Sequence, residues 1–189
     1  HPELLARWRK RHRLEQLHAV LDALDGAGPD YTVFMLLSDF DTTPEEVVET
    51  LRRLVLAALP RRRMRIASSP FTIPLYDSET RRRLEFEGRL GPERAAHFTD
   101  YERPQPGWLD PLAAELADLA DAELQFALPL ETRDAALVQA FEAVLARIRE
   151  AAAEGQGLQP ERLRRLLQQA ERGIDEIREA RFQAVAPPR

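Results

Sequence analysis

The sequence predicts an α+β fold: a small, partly parallel sheet around residues 31–76, flanking helices at 2–24 and 43–59, and a C-terminal antiparallel helical hairpin. Three observations carry this. Tyr31-Thr-Val-Phe-Met-Leu-Leu37 is a near-continuous apolar run of strand formers, which suits a strand covered on both faces. A well-marked helix separates it from a second strand-like run at Arg63–Ala67, the order of a β-α-β unit with parallel strands and a right-handed crossover. Apolar residues then recur at helical spacing on both sides of Glu154-Gly-Gln-Gly157, a joint short enough to turn two helices antiparallel.

The elements follow in order. Residues 2–24 carry Leu14, Leu17, Leu21 and Leu24 on one stripe, extended by Leu4 and Trp8, and Asp25-Gly-Ala-Gly-Pro29 ends that helix. At 43–59, Thr43 with Glu46 three residues on is a capping box, and Pro44 occupies the first helical position. Val47, Val48, Leu51, Leu54, Val55 and Ala58 make its apolar stripe, closed by Pro60. Phe71–Tyr76 reads as a third strand, placed at an edge by Pro74. Residues 77–90 have two readings, since Leu84-Glu-Phe-Glu87 alternates like a strand while Ser78-Glu-Thr-Arg-Arg-Arg83 suits a helix start. A proline-rich connection at 91–108 leads to an acidic helix at Asp110–Leu124, then helices at about 132–153 and 160–184. The organisation is a 1–108 α/β region with an N-terminal helix and a 109–189 helical region, both within reach of one compact domain.

Composition narrows the chemistry. At 189 residues the chain is long enough to bury a substantial core. It contains no cysteine, which removes thiol nucleophiles, disulfides and thiolate zinc sites. Lys10 is its only lysine and asparagine is absent, so P-loop and Schiff-base chemistry lack their key residue. Abundant arginine and alanine point to a GC-rich, bacterial coding bias. The net charge of −5 is uneven: residues 109–189 carry 10 basic against 15 acidic side chains, while residues 1–108 balance at 17 each. No basic-then-apolar leader and no membrane-length apolar run are visible, so the expectation is a soluble, cytoplasmic protein with no membrane partner.

The segment Asp39-Phe-Asp41-Thr-Thr43, straight after an apolar strand, resembles the first motif of haloacid-dehalogenase-like phosphatases, Asp-x-Asp-x-Thr. The resemblance covers residues 31–69. It implies Asp39 as nucleophile toward phosphorus, Asp41 as general acid/base, both as Mg²⁺ ligands, and Ser68 as the hydroxyl that holds the phosphate. That chemistry needs the spacing: the first carboxylate requires a cation to screen it from an anionic substrate, and the second must reach the leaving-group oxygen. The last acidic motif of that family has its nearest counterparts in Asp118 and Asp121, inside a predicted helix. Ordinary turn and capping chemistry asks for the same residue types in a loop before a helix.

Arginine clusters supply another reading. Arg7, Arg9, Lys10, Arg11 and Arg13 surround Trp8, and Arg61, Arg62 and Arg63 form a second group, so a polyanion or nucleic acid could be gripped by guanidinium forks. Arg81–Arg83 form a third. With no complete catalytic set, the leading expectation is a non-catalytic protein-interaction or regulatory module of adaptor type, needing no cofactor. It would bind a protein partner, or its own copy as a homodimer, through the C-terminal helices, where Ile174, Ile177 and Phe182 continue an apolar stripe. The alternatives are a Mg²⁺-dependent phosphoryl-transfer enzyme using Asp39 and Asp41, and a polyanion binder.

Overall fold

A computed structural model describes residues 14–70, 79–89, 110–155 and 158–185. The expected third strand at Phe71–Tyr76, the connection at 91–108 and the first half of the N-terminal helix lie outside the described residues. The chain runs α1 (Leu14–Ala27), β1 (Tyr31–Leu36), α2 (Pro44–Ala58), β2 (Met64–Ser69) and α3 (Glu79–Phe86). It continues with α4 (Pro111–Leu124), a 3-10 turn at Gln125–Ala127, α5 (Leu130–Glu154) and α6 (Pro160–Val185). Helices dominate, and the two strands form a small parallel sheet, as expected of an α+β chain.

β1 and β2 pair in parallel register from Tyr31 opposite Met64 to Leu36 opposite Ser69. The side chains alternate across this ribbon. Tyr31, Val33 and Met35 turn toward the helical core beside buried Met64 and Ile66. The opposite face carries Thr32, Phe34 and Leu36, and Phe34 is 64% exposed. The expectation of a strand covered on both faces is therefore corrected. One face packs on the core, whereas on the other Thr32 and Phe34 are exposed and Leu36 is half-buried.

Helix α2 is the hub. Thr43 accepts from the Glu46 amide and the Glu46 carboxylate accepts from the Thr43 amide, so the capping box is complete, with Pro44 in the first turn. Two orphan amides are thereby satisfied before the helix enters the core. Its stripe of Val47, Val48, Leu51, Leu54, Val55 and Ala58 is buried throughout. Each of the larger side chains contributes about 1.5–3 kcal/mol of transfer free energy. α4, α5 and α6 pack around α2. One hydrophobic cluster runs from Leu21 in α1 to Ile177 in α6, so both sequence regions feed the same core.

α5 and α6 are joined at Gly155, whose φ of +66° is a left-handed helix cap that other residues adopt only with strain. Ile174 and Ile177, expected as part of an interaction seam, are buried within the chain, whereas Phe182 near the end of α6 is 79% exposed. Among the described residues no helix is long and apolar enough to cross a membrane.

One buried polar atom in α2 stands without a partner, the hydroxyl of Thr50, in a residue only 3% exposed. An unbonded buried hydroxyl costs about 1 kcal/mol or more, and valine has nearly the same shape. Thr50→Val is expected to raise the melting temperature by about 2–4 °C. A calorimetric scan showing a decrease would mean that the hydroxyl is satisfied in solution.

Candidate functional site

The loop leaving β1 begins as a continuation of the sheet. The Leu37 amide donates to the Ser69 carbonyl at 3.0 Å, and Ser38 Oγ donates to the Pro70 carbonyl at 2.5 Å, so both strands leave the ribbon side by side. The chain then turns on Asp39, which is 5% exposed. Asp39 Oδ1 accepts from the Asp41 amide at 3.0 Å and from Thr42 Oγ1 at 2.6 Å. Thr42 Oγ1 in turn accepts from the Asp39 amide at 2.7 Å. Asp39 and Thr42 thus close a reciprocal turn that delivers Thr43 to its capping position.

Asp41 faces the other way. Its Oδ2 accepts from Arg83 Nη2 at 2.6 Å and its Oδ1 from Arg89 Nη1 at 3.0 Å, while Arg89 Nη2 also donates to the Phe40 carbonyl. Burial alone would raise the pKa of Asp41; the hydrogen bonds and charges of Arg83 and Arg89 outweigh it and hold the carboxyl below the usual range. A depressed folded-state pKa stabilises the fold above the unfolded value of about 3.8, and this contribution is lost as pH falls through the lower folded value. Acidification below about pH 4 is therefore expected to loosen the hold of Arg83 and Arg89 on Asp41. The Asp41 carboxyl resonance, followed by carbon NMR, should titrate below pH 3.8 in the parent and move up toward it in Arg83→Gln. A titration unchanged by Arg83→Gln would show that the pair does not lower it.

The other expected phosphate-binding residue, Ser68, lies in β2 and donates from Oγ to Asp121 Oδ1 of α4 at 2.6 Å. Asp121, one of the two candidates for a distal acidic motif, is therefore joined to Ser68, although it sits on a helix. Mg²⁺ finds a poor set of donors at the loop. The Asp39 carboxylate is engaged within its own turn, and Asp41 is matched to two guanidinium groups. Among the described residues no three His, Asp or Glu side chains converge as metal ligands would.

The second arginine group is largely occupied. Arg61 pairs with Asp22 and, through Nε at 3.2 Å, with Asp25; it also donates to the Ala57 carbonyl at 2.6 Å. Arg62 donates to the Ala184 carbonyl at 3.0 Å, tying the turn after α2 to the end of α6, and Arg63 is exposed. Arg7, Arg9, Lys10, Arg11 and Arg13 lie outside the described residues, so a continuous basic face joining the two groups is not traced. Arg133 did not stand out in the sequence as a functional or structural arginine. It lies one helical turn before Leu137 and two before Phe141, on the buried stripe of α5, and that placement is the signal that marks it. Comparison with protein-family models, curated proteins and solved structures returns no significant match for this chain.

Proposed function

We propose that this chain is a non-catalytic protein-interaction module of adaptor or regulatory type. The observation that carries this reading is the open face of the parallel ribbon, with Phe34 64% exposed beside Thr32 and Leu36. Parallel strands are ordinarily covered on both faces, and an aromatic ring left in water at the centre of one is suited to a protein partner. The end of α6, with Phe182, offers a second apolar contact within the C-terminal hairpin. The engagement of Asp39 and Asp41 by their own neighbours favours this reading over phosphoryl transfer, and the internal pairing of Arg61 favours it over polyanion binding.

The test has two arms. A photo-crosslinking amino acid at exposed Thr32, compared with one at exposed Arg149, is expected to give adducts that Phe34→Glu suppresses. Adducts equal at both sites would remove the sheet face as the contact surface. Hydrolysis of p-nitrophenyl phosphate with Mg²⁺ forms the second arm. Turnover abolished by Asp39→Asn would overturn the non-catalytic reading in favour of the phosphatase one.

A further inference from the structure

The open face of the ribbon is not uniform along its length. In the parallel register Thr32 lies beside Arg65, Phe34 beside Ala67 and Leu36 beside Ser69. Ala67 is too short to cover its neighbour, and the Phe34 ring stays 64% exposed. The face is therefore cationic where the strands begin and apolar at its middle, and none of these residues is acidic.

Two guanidinium groups make the cationic end, and they are held differently. Arg65 Nη2 donates to Asp30 Oδ2 at 3.1 Å, with both side chains partly in water. An exposed pair of this kind is weak and is readily exchanged for a better-placed carboxylate. Arg63 is exposed and has no carboxylate partner among the described residues. Its guanidinium rests against Gly28, where a Cβ would lie 3.5 Å from Nη1. Gly28 has a φ of +84°, so the turn after α1 asks for glycine, and the missing side chain leaves room for the guanidinium. Both groups thus gather at the 28–30 segment that leads into β1. Arg65 stands two positions along β2 from Ala67, a step of about 7 Å.

We propose that this face takes an acidic peptide segment of a partner protein. A large apolar side chain of the segment packs on Phe34 over Ala67, and carboxylates about 7 Å along the ribbon accept from Arg65 and Arg63. The proposal rests on the reading of the open face as a contact surface and adds the chemistry of what it contacts. The planar fork of arginine matches a carboxylate, and an aromatic ring beside arginine is the composition of interface hot spots. A second copy of this chain is a poorer occupant. Laid face to face about a twofold axis, it brings its own Arg63 and Arg65 and no acidic side chain from this face. A nucleic-acid strand asks for a row of cations along its phosphates. Here Arg61 is engaged with Asp22 and Asp25, and Arg62 with the Ala184 carbonyl.

Peptide display on the full chain tests this, with Phe34→Glu and Arg63→Glu, both at exposed positions, as parallel baits. Random peptides enriched on the parent are expected to combine Asp or Glu with a large apolar residue, and to be lost on Phe34→Glu. On Arg63→Glu the enrichment should turn toward Lys and Arg, a change of preference that loss of packing would not give. A labelled peptide from the enriched set should bind Arg63→Gln about fivefold and Phe34→Ala about thirtyfold more weakly than the parent. The Arg63 effect should fade in about 0.5 M NaCl. Peptides that need Phe34 but show no acidic preference, or whose preference Arg63→Glu leaves unchanged, would overturn the acidic partner and leave the contact surface standing. Peptides indifferent to Phe34→Glu, or no enrichment over that bait, would remove the surface itself. Dimers seen by light scattering that Phe34→Glu dissolves would give the face to a second copy. A labelled oligothymidine that displaces the peptide would give it to a nucleic acid, and either result overturns the proposal.

Discussion

Arg133→Met is expected to lower stability by about 3 kcal/mol, a fall of about 6–12 °C in melting temperature for a chain of this size. Arg133 is 3% exposed, on the stripe of α5 that faces the core. Its Nη1 donates to the carbonyls of Arg61 and of Met64, the latter at 2.8 Å, and its Nε and Nη2 hold Asp134 at 2.8 and 2.6 Å. The two carbonyls belong to the turn that carries the chain from α2 into β2. Methionine fills much of the same volume but removes the donor from both carbonyls. The Arg61 carbonyl keeps the Met64 amide at 3.2 Å, while the buried Met64 carbonyl loses this partner, and an unpaired buried carbonyl costs more than a made bond contributes. Arg133→Lys should fall between the two, since one ammonium can reach the carbonyls but cannot also fork onto Asp134. A Met variant within 1 kcal/mol of the parent in urea denaturation would show that water replaces the guanidinium.

Gly173→Val should cost about 3 kcal/mol, against the usual rule that glycine in a helix interior is improved by substitution. A Cβ at position 173 would sit 2.6 Å from Cζ of Phe141 and 3.3 Å from Arg52 Cδ. Phe141 is fully buried, so its ring has no room to swing away. Gly173→Ala gains about 1 kcal/mol of helix propensity but meets the same ring, and a net loss of about 1 kcal/mol is expected. Shortening the ring as Phe141→Leu in the Ala background should recover part of that loss. The denaturation midpoints of the two single variants and the double variant form a cycle, and strict additivity would mean that the contact is not the cause.

Much of the architecture was readable because it rests on local chemistry. Thr43, Pro44 and Glu46 specify the start of α2 wherever the helix goes, and the stripes of α5 and α6 place both helices within about two residues of their observed ends. α3 was ambiguous because Leu84 is its one buried residue, too little pattern to separate a period of 3.6 from one of 2. The exposure of Phe34 was hidden because an apolar residue reads the same in water as in a core. At the candidate site, the turn residues Asp39, Asp41 and Thr43 were visible as a group. The distant partners of Asp41 and of Ser68 were not. Arg83 and Arg89 lie more than forty positions away, and Asp121 reaches Ser68 from a different helix. Pairings of that kind depend on the assembled fold.

The parallel pairing of β1 with β2 also bears on how the chain folds. Tyr31 cannot find Met64 until the intervening segment has closed on itself, whereas the α5–α6 hairpin can zip outward from the joint at Gly155, forming nearer pairs such as Arg149 with Glu171 before distant ones such as Glu142 with Arg178. Loop-closure entropy delays the first and favours the second. Refolding should therefore begin in the acidic C-terminal half and reach the ribbon last. The open aromatic face then appears only when a helical platform already stands behind it, which shortens the time a bare strand edge is offered to other unfolded chains.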